Sequence, residues 1–325
     1  NTDGAYNTAV GYTALDSNTT GGYSTAVGWD TLTANTETSN LNAFGAAALS
    51  ANTTGGDNVA VGSNSLSTNT EGSNNTAVGN NSLRYNTKGG YNTAVGRDAL
   101  DANTTADFNT AFGYGALGAI TGGGVEACAE NTAVGYNALT NTTSSTTSTA
   151  VGCKALATTT GANNNTAVGF KALTAVTSAA QITAIGGHAG ENLTGGGYSV
   201  FIGHYSAASA VSVEYELVIG CEATTGKGGK TGYISANGES SNGAMYQGDN
   251  TSTWTSTSDE RIKKNIVDST IGLAEINQIQ VRNFEYRLPE EVDPELPQSA
   301  AITKEGVQIG VIAQEVIDIL PDIVK

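Results

Sequence analysis

Within eleven residues, Ser256-Thr257-Ser258-Asp259-Glu260-Arg261-Ile262-Lys263-Lys264-Asn265-Ile266 gathers hydroxyls, carboxylates and amines in a chain that is only 14% charged. A serine hydroxyl becomes a nucleophile when a base takes its proton, and a lysine amine can be that base once burial lowers its pKa. The same residues suit a plainer use, with Ser258-Asp259 capping a turn and Lys263-Lys264 solvated. Spacing alone leaves both open. His188 and His204 show no carboxylate partner at ligand spacing and read as ordinary exposed histidines, so neither a metal nor a cofactor is expected.

The elements that must carry these groups follow from a repeat. Asn7-Thr8-Ala9-Val10-Gly11 returns with small changes at glycines 11, 28, 45, 62, 79, 96, 113, 135, 152, 169, 186, 203 and 220, which is 13 copies. Neighbouring glycines are 17 residues apart except Gly113 and Gly135, which are 22 apart, and the register resumes after the insertion. An Ala-Leu, Ser-Leu or Thr-Leu pair follows the first ten glycines, from Ala14-Leu15 and Thr31-Leu32 to Ala172-Leu173, and the residues from one Leu to the next strand are largely Asn, Thr, Ser, Asp and Gly. With Gly supplying positive φ and Asn or Asp bonding their own backbone, each repeat is predicted as strand, tight turn, short apolar strand and polar turn.

A unit of this size cannot bury its own apolar face, so its stability must come from stacking on neighbours as a β-solenoid or parallel β-roll. Strand alternation sends Thr8 and Val10 one way and Ala9 and Gly11 the other. Both faces lack charge, so one is expected to fill the coil and the other to meet identical chains around a three-fold axis. At about 4.8 Å per coil the copies span about 60 Å.

Cys153 and Cys221 follow repeat glycines four repeats apart. That is about 19 Å, too far for a disulfide, so with Cys128 they read as small apolar fillers. The residue after the glycine is Tyr12, Trp29, Tyr114, Tyr136 or Phe170 in five copies but Ser63, Asn80, Arg97 or Gly187 in others. A column accepting both Trp and Arg is expected to be exposed, which makes Trp29, Tyr114 and Tyr136 candidates for stacking on a glycan. The alternative is that these aromatics cover a groove between chains or coils.

All four prolines, Pro289, Pro294, Pro297 and Pro321, lie in the last 40 residues, as expected if every repeat N–H is wanted in a ladder. The expected organisation is a solenoid over residues 1–222, a Gly/Ser/Thr-rich connector over 223–257 and a small α+β domain over 258–325. In that last part a helix is predicted from a Ser269-Thr270 cap to Ile279, strands over 281–286 and 306–312, and a helix over 313–320 stopped by Pro321.

The opening motif and Gly310-Val-Ile-Ala-Gln-Glu-Val-Ile-Asp-Ile-Leu-Pro-Asp-Ile-Val324 together resemble the C-terminal intramolecular chaperone domain of phage tail spikes and tail fibres, the endosialidase type. The resemblance covers residues 258–325 and implies a temporary trimerisation chaperone that cuts itself off. It further implies a serine–lysine dyad, with Ser258 as nucleophile, Lys263 as general base and Thr257–Ser258 as the scissile bond. Relatives of this type continue into a long C-terminal helix, so the sequence, which begins at Asn1 rather than Met, reads as a piece of a longer protein. Independently, the Asn-Thr-Ala-Val-Gly-x-x-Ala-Leu unit is similar to the head repeats of trimeric autotransporter adhesins, with a longer period.

The net charge of −16 divides into −9 up to Gly220 (5 basic, 14 acidic) and −7 beyond it (9 basic, 16 acidic). That argues against nucleic acid or an anionic membrane as partner, and no apolar run approaches a membrane span. The expected protein is a homotrimeric tail fibre or spike segment in a virion, whose partners are a host cell-surface receptor and other tail proteins, and whose only chemistry is a single-turnover self-cleavage. A bacterial trimeric surface adhesin would share the roll. A depolymerising tailspike enzyme would need paired carboxylates, which fall in no common column. An ice-binding solenoid could use the column of Thr8, Thr25, Thr76 and Thr93, but those threonines are expected to be buried.

Overall fold

A computed structural model describes residues 3–121, 129–222, 224–235, 245–247, 277–285 and 306–319. The chain divides into two compact units, Asn1–Thr257 and Ser258–Lys325.

The first unit is a parallel β-solenoid whose coils are the 17-residue repeats. Eleven three-residue strands, β1 (Thr8–Val10) to β11 (Thr183–Ile185), recur once per coil, and β13 (Val200–Ile202) and β15 (Leu217–Gly220) continue the series. Each pairs in parallel with the equivalent residues of the next, Thr8 with Thr25 and Val10 with Val27. The 22-residue coil keeps register, Thr110 opposite Thr132. The sheet does not stop where the composition changes. β16 (Gly232–Ser235) adds in parallel and β17 (Met245–Gln247) antiparallel, both within the stretch read as connector. A short second sheet joins β12 (Gly195–Gly197) to β14 (Ser212–Glu214).

Alternation decides what fills the coil. The middle alanine of each strand from Ala26 to Ala184 is fully buried, and Phe201 and Val218 take its place in the last coils. Its neighbours point outward, and the threonines are half-exposed, as at Thr76 and Thr93. This corrects the expectation that the threonine column is buried: with three residues per strand and alanine inward, threonine and valine have only the outer face left.

The second correction concerns the turns. No second strand forms at Ala-Leu. Leu32, Leu66, Leu83 and Leu100 instead sit at φ of 49–52°, in the left-handed region, and are fully buried. That conformation costs roughly 1–2 kcal/mol per residue, against about 1.5–3 kcal/mol from burying a leucine side chain. Burial thus holds a backbone that propensity opposes. Leucine suits the position because its branch lies at Cγ, whereas a β-branched residue is a severe outlier at positive φ.

Two asparagine ladders satisfy most of the buried polar interior, although Asn35 Oδ1 in the second of them has no partner. In one, an asparagine preceding the strand accepts the next coil's backbone N–H at its Oδ1, as Asn58 does from Asn75 at 2.9 Å, and donates its Nδ2 to a turn carbonyl, Asn58 to Gly72 at 2.7 Å. In the other, Asn103 Nδ2 donates to Asn86 Oδ1 and Asn86 Nδ2 to Asn69 Oδ1, both at 2.7 Å. The last coil ends on a buried carboxylate in the first ladder's column. Glu216 accepts from the Ser209 N–H at 3.0 Å and the Gly228 N–H at 2.8 Å.

Asp101 is the charged residue among the five described coil residues that bury an unpartnered side-chain atom. Burial, followed by the negative charge of Asp98, raises the Asp101 carboxyl above its ordinary value, with Arg84 opposing, and Asp101 Oδ1 lies buried without a hydrogen-bond partner. A carboxyl whose folded pKa is raised costs stability once ionised. Asp101→Asn should therefore raise Tm at pH 7, and the gain should vanish as pH falls through the folded pKa to the ordinary carboxylate value. Partial exposure keeps the effect below about 1 kcal/mol, and paired thermal melts at pH 7 and pH 4 would measure it.

In the second unit, β18 (Arg282–Phe284) pairs antiparallel with β19 (Gln308–Gly310), and the helix α1 spans Ala313–Ile319. These elements fall within the predicted strands and C-terminal helix. The predicted Ser269-Thr270 cap lies outside the described residues, and at the predicted end of that helix Asn277 and Gln278 form a turn and Ile279 is not helical.

Candidate functional site

The solenoid turns each repeat position into a column of side chains one coil apart. In the column after the strand glycine, Trp29, Tyr114 and Tyr136 are all exposed, at 58%, 45% and 49%. Tyr114 and Tyr136 stack, with centroids 5.5 Å apart and planes 13° from parallel, and the Arg97 guanidinium lies 5.9 Å from the Tyr114 ring. Trp29 does not join them. It stands five coils from Tyr114, about 24 Å along the axis.

A second aromatic column, five residues before each glycine, went unread in the sequence. Tyr6 stacks on Tyr23 at 4.9 Å, Tyr91 on Phe108 at 5.1 Å and Tyr198 on Tyr215 at 4.8 Å. All six rings are about half exposed or more, and all six residues adopt positive φ, between 54° and 60°. Between the first two pairs the column holds Asn40, Asp57 and Asn74, also exposed and at positive φ. The signal was available, since each member directly precedes the buried ladder residue, as in Tyr23-Ser24 and Tyr91-Asn92.

The histidine expectation fails at His188. Its Nδ1 is bonded to Glu191 Oε2 three residues on, its side chain is only 14% exposed, and its ring stacks on Tyr205 at 4.3 Å. The turn after the strand folds Glu191 back onto His188, a proximity the linear spacing conceals. His204 packs edge-on to Tyr205 at 4.4 Å. Among the described residues no group of three or more His, Cys, Asp or Glu is placed to hold a metal ion. Cys153 and Cys221 form no disulfide, and Cys128 lies outside the described residues.

Ser258, Lys263 and Thr257 also lie outside the described residues. What is described of their unit is a small scaffold centred on the second motif. Arg282 in β18 donates from Nε and Nη2 to the two carboxylate oxygens of Glu315 in α1, at 3.0 and 2.9 Å. The hydrogen bonds and charge of Glu315 hold the guanidinium proton more firmly than usual. Glu315 belongs to the Gly-x-x-Ala-Gln-Glu run, so the motif supplies the strand end at Gly310, the helix start at Ala313 and the carboxylate that ties the helix to the neighbouring strand.

Residues 258–325 match the family described as chaperone of endosialidase. No curated protein and no solved structure matches the chain. The C-terminal region thus carries a chaperone-of-endosialidase domain, and a mainly β solenoid precedes it. Among the described residues no helix is long and apolar enough to cross a membrane.

Proposed function

We propose that the chain is a segment of a homotrimeric bacteriophage tail fibre or tailspike that presents a host-receptor-binding surface and carries its own trimerisation chaperone. The observation that carries this reading is the sequence of parts: a solenoid of 17-residue coils, then a chaperone-of-endosialidase match that begins at Ser258. The outer sheet face supports the trimer. Its threonine and valine columns hold no charged residue, and Phe44, Val61, Phe112 and Ile185 each expose more than a third of their surface on it. A face about 60 Å long and 10 Å wide offers roughly 600 Å² per chain, so three chains closing around an axis bury roughly 1,800 Å² in total. A heterologous contact that closes at three uses this face in every chain.

In this reading Lys263 takes the proton of the Ser258 hydroxyl, and the oxygen attacks the Thr257 carbonyl carbon. The Thr257–Ser258 C–N bond breaks as the proton passes to the departing amine, leaving an ester that water hydrolyses to a Thr257 carboxylate and a free Ser258 hydroxyl. Intact and native mass spectrometry of the parent chain beside Ser258→Ala tests both halves of the proposal. The expected result is a cut at 257/258 in the parent alone, with the solenoid fragment trimeric. An uncut parent removes the self-cleavage, and a monomeric solenoid removes the fibre.

A further inference from the structure

We infer that the column running Tyr23, Asn40, Asp57, Asn74, Tyr91 is a binding recess for a neutral glycan. The inference rests on the fibre reading above and gives its receptor surface a place and a ligand class. The five residues occupy the same position in five successive coils, with φ between 55° and 62°, so the backbone presents each in the same way. Each tyrosine is backed by a stacked ring on its outer side, Tyr6 behind Tyr23 and Phe108 behind Tyr91. One face of each ring is therefore covered by an aromatic, and the other looks along the axis toward the three shorter polar side chains. The two tyrosines stand four coils apart, about 19 Å.

The arrangement is symmetric about Asp57, reading tyrosine, asparagine, aspartate, asparagine, tyrosine in either direction. Asn40 Nδ2 already donates to Asp57 Oδ1 at 3.1 Å, which shows that neighbouring side chains of this column meet across one coil. A pyranose ring offers an apolar C–H face and a rim of hydroxyls. The free tyrosine faces suit the first, and the amides of Asn40 and Asn74 with the Asp57 carboxylate suit the second as donors and acceptors. Charge selects within the glycan class: these coils carry an acidic residue at the centre of the recess and no cation in the column, so an anionic polysaccharide would be repelled. A purely structural stack would not need the interruption. Aromatic pairs serving only to hold coils together gain by being continuous and covered, whereas Tyr23 and Tyr91 remain 64% and 58% exposed and face a polar gap.

The test is a titration of the full-length chain with neutral hexasaccharides of glucose and of N-acetylglucosamine and with a sialylated oligosaccharide, read by tyrosine fluorescence and ligand-observed NMR. The expected result is binding of a neutral oligosaccharide, weakened at least tenfold in Tyr23→Ala/Tyr91→Ala and retained in Tyr23→Phe/Tyr91→Phe. Tyr198→Ala, in the same column but outside the recess, should bind like the parent. The phenylalanine pair guards against misfolding, because it keeps the rings. No binding, binding of the acidic glycan alone, or equal binding by the alanine pair would overturn the recess. Adsorption of the parent to bacterial cells is scored separately. A chain that binds the oligosaccharide but no cell refutes the receptor reading and leaves the recess, whereas an alanine pair that loses the oligosaccharide yet adsorbs to cells like the parent refutes the recess as the receptor surface and leaves the fibre.

Discussion

Gly79→Ala is expected to open the solenoid in its middle, with a loss of more than about 4 kcal/mol of local stability. The glycine closes its strand at φ 138°, and a Cβ built there lies 2.5 Å from the Gly96 carbonyl oxygen and 2.6 Å from its carbon. Both atoms are backbone of the next coil, so no rotamer relieves the contact, and the left-handed strain of an L residue adds to it. Moving the coils apart would break the ladder that joins β-strands on either side. Each coil is stabilised mainly by its neighbours, and a broken contact therefore leaves two shorter stacks with new ends rather than one uniformly weaker rod. Trypsin makes this visible. Only five basic residues occur up to Gly220, and three of them, Arg84, Lys88 and Arg97, follow Gly79 within about one coil. The variant should be cut there rapidly, while the parent resists. Gly56→Ala is the matched control. Its added Cβ would meet Thr38 Cγ2 at 3.6 Å, an ordinary contact, and Gly56 is not at positive φ. Trypsin resistance in Gly79→Ala equal to that of Gly56→Ala would refute the account.

The contrast between these glycines shows what was legible in the sequence. The repeat, its period and the alternation of Thr-Ala-Val fixed the parallel sheet, its register and the buried alanine, because a period-2 pattern at constant spacing has few other solutions. The turns were not legible. A sequence reader assigns positive φ to glycine, yet here leucine adopts it in ten coils and Tyr, Asn, Asp, Lys and His adopt it elsewhere. Stacking on neighbouring coils overrides the local preference, and that term is absent from any single repeat. The aromatic column at Tyr23 and Tyr91 was legible from its constant offset of five residues before the glycine, but Asn40, Asp57 and Asn74 interrupt it, and the stacking of its rings appears only in the fold. The Ser258 and Lys263 pair stands differently, since its reading comes from the order of two motifs and awaits the mass measurement.

The largest polar effect is expected in the buried asparagine ladder. Asn86→Leu should cost about 2–4 kcal/mol, measured by thermal or denaturant unfolding. Size is not the reason, since the same column accommodates fully buried Ile120, Val176 and Leu193 further along. The cost comes from partners: Asn86 Nδ2 is the donor to Asn69 Oδ1 at 2.7 Å, and its loss leaves that oxygen buried with no replacement. The turn carbonyl Gly89, which Asn86 also bonds at 2.8 Å, keeps a second donor in Asn75 at 2.8 Å. The ladder ends at Asn103, whose Oδ1 is satisfied by the Ala106 N–H at 3.2 Å before the column turns apolar. Asn103→Leu alone would orphan Asn86 Oδ1 in the same way, because Asn103 Nδ2 is its donor at 2.7 Å. The double variant Asn86→Leu/Asn103→Leu leaves one orphaned oxygen, on Asn69, where the two single variants leave one each. It should therefore be destabilised by about 1–3 kcal/mol less than the sum of the singles, a coupling that a double-mutant cycle reads directly. Additive losses would mean that side-chain volume, and not the chain of donors and acceptors, governs this column.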